Sequence, residues 1–168
     1  MISEKQAMEI LKKYKTPKEI IEHSIAVSKK AVHIAEKLRQ KGYNVNIEVV
    51  KIAGLLHDIG KLKAKGITHG AETGKILREV GCCEAIARTA ELHNYPDTNL
   101  SDLHLEAKII VYADAITMHD KYVTLKKRFD DVIQRRIQAG RIREADMIKS
   151  YYPQLKKIEK EILDLMKD

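Results

Sequence analysis

Apolar residues recur along this chain with the period of an α-helix. The helix opened by Thr16-Pro17 and ended by Gly42 carries its apolar stripe at Ile20, Val27, Ala31, Ile34 and Leu38. Similar patterns and end signals predict further helices from about Ser3 to Tyr14, from Asn46 to His57-Asp58, from Thr68 to Gly81, from Cys82 to His93, from Leu103 to Met118, from Thr124 to Ala139 and from Glu144 to Lys167, the last interrupted near Pro153. Loops are predicted at 60–66 and 94–97. No segment alternates with period two for long enough to predict a strand, so we expect an all-α bundle of about six to eight helices.

The length and composition fit one globular domain spanning residues 1–168. The chain has 168 residues, of which 44% are hydrophobic, enough to bury a core. No apolar run is long enough for a membrane span and the N-terminus has no signal-peptide pattern, so we expect a cytoplasmic protein without membrane contact. The adjacent Cys82 and Cys83 are interpreted as helix-packing residues in a reducing compartment, because neighbouring cysteines bridge only with strain.

The basic charge points to an anionic partner. The formal net charge is +7, but the lysines are spread over nearly every segment and are not interleaved with aromatic residues. Because base-stacking and groove-reading modules need such clustering, nucleic acid is not the expected partner. A small phosphorylated substrate fits better. The pattern leaves the oligomeric state open and is compatible with a homo-oligomer.

Polar residues interrupt three apolar helices. His23 lies on the stripe of the second helix, Asp114 lies on the stripe of Ala107 and Ile110, and His57-Asp58 ends an apolar helix. Singly, each has an ordinary explanation, such as a hydrogen-bonded core histidine, a cap or a salt bridge. A buried carboxylate without a partner is costly, and a divalent ion would neutralise the set.

Two further histidines are candidates for a second ion. His69 lies at a predicted helix start and His93 at a helix end, where each alone would be interpreted as a cap or a surface residue. His33 and His104 do not join the inward series and are predicted to be exposed.

The ordered histidines and aspartates occur within short characteristic motifs. These are Glu22-His23-Ser24, Leu56-His57-Asp58-Ile59-Gly60-Lys61, His69-Gly70-Ala71 and Val111-Tyr112-Ala113-Asp114. In this order they resemble the HD superfamily of metal-dependent phosphohydrolases, over roughly residues 18–120, which leaves 121–168 as a C-terminal helical extension. The chain is similar to small archaeal HD proteins and to the dinuclear branch that includes symmetrical diadenosine tetraphosphate hydrolases. The Gly-Tyr-Pro signature of the HD-GYP family is missing.

The resemblance implies a specific set of ligands. A first metal would be held by His23, His57, Asp58 and Asp114, and Asp58 would bridge to a second metal held also by His69 and His93. One or two divalent ions are expected, and imidazole-rich sites suit Fe, Mn, Co, Ni or Zn better than Mg. A hydroxide shared by two ions would attack phosphorus, with Asp58 and Lys61 as the catalytic residues.

Alternatives remain at this point. HD-fold diiron oxygenases use the same ligand types, and a non-catalytic nucleotide-binding module is a third possibility. Asn94, Tyr95 and residues 119–121 are expected to border the pocket. The basic helix at 126–143 would cover that pocket or form a dimer face.

Overall fold

The computed structural model describes residues 2–64, 69–94 and 99–167, which are almost entirely helical. Their α-helices are α1 (Glu4–Lys13), α2 (Lys18–Gln40), α3 (Ile47–Leu56), α4 (His69–Glu79), α5 (Glu84–Glu91), α6 (Leu105–Ala115), α7 (Leu125–Gln138) and α8 (Ile142–Met166). Single 3₁₀ turns occur at Ile59–Leu62, Leu92–Asn94 and Leu100–Asp102. The all-α prediction is confirmed.

Capping residues begin several helices where the sequence predicts them. The Ser3 hydroxyl accepts from the Gln6 backbone amide and the Gln6 side chain accepts from the Ser3 amide, which is a capping box. The side chains of Asn46 and Thr124 accept from backbone amides in the first turns of α3 and α7. These local bonds explain why the starts of α1, α3 and α7 are predictable.

The core is built around α2, α3 and α6. Helix α3 is apolar on nearly all sides, and its residues from Val49 to Leu56 are buried except for Lys51. It packs against α1, α2, α5 and α6, while α4 packs against α5 and the 59–62 turn. Helix α8 buries Ile158 and Ile162 and packs against α6. The last turn of α3 is thereby held at the centre of the bundle.

A two-stranded hairpin is the first departure from the prediction. Strand β1 (Thr117–Met118) pairs with β2 (Lys121–Tyr122) in an antiparallel arrangement. Helix α6 therefore ends at Ala115 and not at Met118. Two-residue strands are too short to produce an alternating pattern, and their turn depends on His119, whose φ is 56°.

Pro153 is the second departure. Helix α8 continues through Pro153 from Ile142 to Met166, whereas an interruption was predicted. Proline inside a helix removes one hydrogen bond and costs about 3 kcal/mol. Buried residues on both sides, Ala145 before it and Ile158 after it, offset this cost by packing.

Smaller differences concern the region around the cysteines and two predicted loops. Helix α5 begins at Glu84, one residue after the N-cap Cys83, so Cys82 is buried and Cys83 is exposed, and both thiols are free. The prediction that Cys83 packs in a helix interface is wrong, because the helix starts later. The predicted 60–66 loop begins as a 3₁₀ turn. Thr68, where a helix start was predicted, and most of the 94–97 turn lie outside the described residues.

Candidate metal centre

His57 and Asp58 lie at the junction of α3 and the Ile59–Leu62 turn. Both side chains are buried, with 0% and 1% of their surface exposed. Because α3 is apolar on nearly all sides, its last turn carries these two polar side chains into the core. Such burial requires compensation by partners or by a bound ion.

The Asp58 carboxylate lies between two pairs of imidazoles. Its Oδ1 is 3.1 Å from His69 Nε2 and 3.5 Å from His93 Nε2. Its Oδ2 is 3.5 Å from His57 Nε2 and 3.8 Å from His23 Nε2. Each carboxylate oxygen therefore faces a different histidine pair.

Asp114 reaches the same centre from α6. Its Oδ1 lies 3.0 Å from His23 Nε2 and 3.9 Å from His57 Nε2. The prediction that His23 and Asp114 point inward from separate helices is consistent with these positions. The Asp114 side chain is 28% exposed, so it forms part of a cavity wall and is less buried than its stripe suggests.

Backbone carbonyls orient three of the four imidazoles. The Nδ1–carbonyl distances are 2.8 Å from His23 to His119, 2.7 Å from His57 to Gly54 and 2.6 Å from His93 to Ala90. Because a carbonyl only accepts, Nδ1 carries the proton in each bond, and in the neutral ring Nε2 is left with a lone pair. This is the arrangement that metal-ligating histidines usually adopt.

His69 is oriented by Asn94. The Asn94 side-chain amide lies 3.1 Å from His69 Nδ1, and His69 Nε2 lies 3.0 Å from His93 Nε2. Asn94 was predicted to border the pocket, and its contact with His69 gives it a role in positioning that ring. Tyr95 lies outside the described residues.

Unpaired atoms in the centre fit a divalent ion. Within residues 2–64, 69–94 and 99–167, His57 Nε2 and Asp58 Oδ1 are buried without a hydrogen bond of acceptable geometry. Three overlapping trios place their ligand atoms within 4.8 Å of one another: His23, His57 and Asp58; His57, His93 and Asp114; and Asp58, His69 and His93. Imidazole nitrogens and carboxylate oxygens are the donors that divalent transition metals prefer, so these residues fit such an ion.

Thr73 and two glycines were missed by the sequence analysis. The Thr73 hydroxyl donates to the His57 carbonyl at 2.8 Å and accepts from the Gly60 amide at 3.0 Å, and so ties α4 to the turn after Asp58. A Cβ on Gly60 would meet the Thr73 amide nitrogen at 2.6 Å, and one on Gly70 would meet the Glu91 carbonyl at 2.5 Å. A threonine inside a helix gives no sequence signal for this role. The glycines beside the histidine motifs can be seen in the sequence, but the backbone atoms that they contact are known only from the structure.

Comparison with known sequences identifies the family. A sequence profile described as the HD domain matches residues 20–119. This chain belongs to the HD domain family. The expected resemblance to this family is therefore confirmed, and family membership implies a metal-dependent phosphohydrolase.

Curated relatives of this HD domain protein differ in length and name. It is 36% identical to an uncharacterised protein of Methanocaldococcus jannaschii over 143 residues. The aligned region covers 77% of this chain and 82% of that protein. It is 28% identical to the tRNA (cytidine(56)-2'-O)-methyltransferase of Thermoplasma volcanium over 87% of this chain and 46% of that enzyme. It is 34% identical to Ribonuclease Y of Chloroflexus aurantiacus over 62% of this chain and 20% of that enzyme. The chain thus spans about half the length of the methyltransferase. No solved structure matches the chain.

The pKa values of His57 and Asp58 favour the protonation states that bind a metal ion. Burial lowers the pKa of His57 to about 4, so its ring is neutral near pH 7. Burial opposes ionisation of Asp58. The Lys61 ammonium and His57, which is protonated at the acidic pH where Asp58 titrates, nevertheless hold the pKa of Asp58 well below its usual value. A neutral imidazole and an ionised carboxylate are the forms that bind metal ions.

His23 and Asp114 influence each other's protonation. Burial alone would lower the pKa of His23, but the hydrogen bond and charge of Asp114 outweigh it, and the pKa is raised above 6.5. Burial likewise opposes ionisation of Asp114, yet the hydrogen bond from His23 holds its pKa below the ordinary value. Without a metal, the contact between His23 and Asp114 therefore favours a protonated His23 beside an ionised Asp114.

Lys61 lies at the rim of the HD centre. Its ammonium forms an ion pair with Asp58 Oδ2, while 38% of its side chain remains exposed. Lys61 also forms part of the wall of a cavity of about 490 Å³, together with His69, His93, Asn94 and Asp114. The predicted rim position of Lys61 thus agrees with the structure, whereas its catalytic role stays a prediction.

The HD cavity extends to the basic helix α7. Four arginines of α7 and of the loop before α8 belong to its wall, so the basic helix lies against the pocket, one of the two predicted alternatives.

Among residues 119–121, His119 contributes its backbone carbonyl to His23, and all three side chains are exposed. His33 and His104 are exposed, as predicted. No helix within the described ranges is long and apolar enough to cross a membrane.

Proposed function

We propose that this protein is a metal-dependent phosphohydrolase with a dinuclear centre. The proposed ligand sets are His23, His57, Asp58 and Asp114 for one ion, and Asp58, His69 and His93 for the other. The observation that carries this proposal is the Asp58 carboxylate, whose two oxygens face different histidine pairs. A carboxylate in that position suits a bridge between two ions.

The chemistry of the donor set narrows the choice of metal. Four imidazoles and two carboxylates favour Fe, Mn, Co, Ni or Zn over Mg, which prefers oxygen ligands. When bound, such ions activate water and neutralise the negative charge that develops on phosphoryl oxygens. The residues fit these ions because their unpaired atoms, His57 Nε2 and Asp58 Oδ1, are ligand atoms.

The chain's own residues orient the ligands and stabilise charge. The Nδ1–carbonyl bonds of His23, His57 and His93 hold each Nε2 towards Asp58. The low pKa of Asp58 keeps it ionised at neutral pH. The Lys61 side chain is partly exposed, so we expect its ammonium to leave Asp58 and to pair with a phosphoryl oxygen of the substrate. The positive charge of Lys61 would then stabilise the transition state.

A nucleotide or related phosphoester is the proposed substrate. Lys61 and the arginines give the cavity basic groups that bind phosphate, as a phosphohydrolase requires. RNA is the second candidate, because Ribonuclease Y is among the relatives and its name denotes an RNA-cleaving enzyme. The net basic charge of +7 suits either anion.

Metal analysis combined with a substrate screen tests this proposal. Purified protein is analysed for metal content, and phosphate release from nucleotides, cleavage of an oligoribonucleotide and oxygen consumption are measured in parallel. We expect about two transition-metal ions per chain and metal-dependent phosphate release. His93→Ala should remove one ion and the activity, whereas His33→Ala, which replaces an exposed histidine, should change neither.

Each other outcome has a defined meaning. Bound iron with oxygen consumption and without hydrolysis would replace the hydrolase by the oxygenase. Oligoribonucleotide cleavage without nucleotide hydrolysis would make RNA the substrate. A protein that binds no transition metal, or that loses as much metal in His33→Ala as in His93→Ala, would refute the proposed centre.

A further inference from the structure

A basic helical hairpin follows the region that matches the HD family. Helices α7 and α8 lie beyond residue 119, where the family match ends. The hairpin contributes four arginines to the cavity that also contains candidate metal ligands: Arg128, Arg135, Arg136 and Arg141. We call these four residues the arginine cluster. Its position in one cavity with His69, His93 and Asp114 relates it to the reaction centre.

The arginine cluster is only partly neutralised. Two carboxylates face it, and each is shared by two guanidinium groups. The distances are 2.8 Å from Arg135 and 3.5 Å from Arg128 to Asp131 Oδ2, and 3.2 Å from Arg136 and 3.9 Å from Arg141 to Glu144 Oε2. Four guanidinium groups and the two carboxylates paired with them leave the cluster an excess of two positive charges.

Hydrogen-bonding capacity in the cluster also remains unused. Arg136 Nε is buried and makes no well-aligned hydrogen bond in the part of the chain that the structure describes, although Glu144 is near. Each guanidinium has five N–H donors in a planar fork that matches phosphate oxygens. A cluster of this kind, with surplus charge and free donors, suits an anion with several oxygens.

An apolar surface completes the cavity. Phe129, Val132, Ile148 and Leu155 belong to its wall, and the Phe129 ring packs on Tyr152 with 4.3 Å between ring centroids. An aromatic and aliphatic wall provides van der Waals contact for a nucleobase. The volume of about 490 Å³ is within the range of small-molecule sites, about 300–1,000 Å³.

We propose that the arginine cluster binds a second phosphate group of a nucleotide substrate whose first phosphate lies at the metal centre. The substrate class is therefore a nucleotide with two or more phosphate groups. The position of the reacting phosphate rests on the proposed function, whereas anion binding by the cluster does not. This feature would distinguish the protein's specificity from that of an HD domain without the hairpin.

Anion binding by the metal-loaded full-length chain tests the cluster directly. Calorimetry measures the affinity for inorganic tripolyphosphate and for inorganic phosphate. Arg135→Ala combined with Arg141→Ala should weaken tripolyphosphate binding by about tenfold or more, because charge-assisted hydrogen bonds are lost. Binding of inorganic phosphate at the metal centre should change less than about twofold. Arg143→Ala is the matched control, since Arg143 is an exposed arginine of α8 outside the cavity wall.

A variant with the opposite effect protects the test against loss of folding. Glu144→Gln removes a carboxylate that pairs with Arg136 and Arg141, so tripolyphosphate should bind several-fold more tightly. A tighter complex cannot result from a damaged fold. Unchanged tripolyphosphate affinity in both the arginine variant and Glu144→Gln would overturn the proposal.

Kinetics separate this inference from the proposed function. If wild-type protein hydrolyses no phosphoester while the arginine variant still loses tripolyphosphate binding, the function is wrong and anion binding by the cluster stands. If hydrolysis of a nucleoside triphosphate proceeds with unchanged KM in the arginine variant, the second-phosphate assignment fails and the function stands. If only oligoribonucleotide binding depends on the arginines, the occupant is nucleic acid, and the nucleotide assignment is overturned.

Discussion

Replacing Gly70 with alanine would test whether close packing of α4 assembles the second ligand trio. Gly70 follows His69, and its Cα faces the backbone of α5 and the Leu92–Asn94 turn, which carries His93. A Cβ at this position would overlap the Asn94 carbonyl oxygen and lie 2.5 Å from that of Glu91. These are backbone atoms, so no side-chain rotation can relieve the contact.

The expected displacement follows from the contact distance. Cβ contacts below 3.0 Å are essentially absent from real structures and ordinary contact begins at 3.4 Å. The Glu91 backbone must therefore move away by about 0.5 to 0.9 Å, and the Asn94 backbone, which is closer, by more. Metal–ligand distances tolerate about 0.2 Å. His69 and His93, whose Nε2 atoms are 3.0 Å apart, should then no longer bind one ion together with Asp58. Overpacking of this kind also costs about 1–3 kcal/mol of stability.

Metal content and thermal unfolding measured on the same samples distinguish the two effects. We expect Gly70→Ala to fold and to lose about one metal ion per chain, while the trio of His23, His57 and Asp58 retains the other. Gly42→Ala is the control, because Gly42 has a φ of 88° and no atom within 4 Å of an added Cβ. That variant is strained by about 1–2 kcal/mol and should keep its full metal content.

Two results would refute this reasoning. A folded Gly70→Ala protein with wild-type metal content would show that α4 packing does not determine the second trio. Equal metal loss from Gly42→Ala would show that metal content reports only general stability.

The remaining predictions concern stability and pH. Thr73→Val should destabilise the fold by about 1–3 kcal/mol in denaturant unfolding, because the Gly60 amide loses its partner, and Thr73→Ser should restore most of this; equal losses would contradict the hydroxyl's role. Ile158→Ala should cost about 2–5 kcal/mol in a single unfolding transition, whereas two transitions would contradict the one-domain prediction. The raised pKa of His23 means that, without metal, its pairing with Asp114 contributes stability below the unfolded value of 6.5, and this is lost as pH rises through the folded pKa. Metal competes with that proton, so the Tm gain on adding metal should be larger near pH 8 than near pH 6; an equal gain would argue against His23 as a ligand.

Local signals explain why most helices could be predicted and why two features could not. The capping box of Ser3 and Gln6 and the cap at Asn46 depend on bonds within four residues, which can be read from the sequence. The continuous helix through Pro153 depends on packing against distant elements, which outweighs the local preference. The β1–β2 hairpin is too short to leave a pattern.

The candidate site divides in the same way. His23 and Asp114 could be singled out because each interrupts an apolar stripe, and motif order suggested their family. Their 3.0 Å contact joins residues 91 positions apart and required the folded bundle. The Thr73 hydroxyl donates to the His57 carbonyl, and the His119 carbonyl accepts from the His23 ring. Each contact involves a backbone group, and no sequence pattern marks such partners.

By itself, the sequence determined the helical class, the starts of several helices, the basic charge and the order of the metal-ligand candidates. These properties follow from side-chain type and short-range spacing, which the chain carries whatever its fold. Only the tertiary structure decided that the Asp58 oxygens face separate histidine pairs and that the arginine cluster shares a cavity with them. Those arrangements depend on how helices distant in sequence pack, because packing brings together side chains that local periodicity leaves independent.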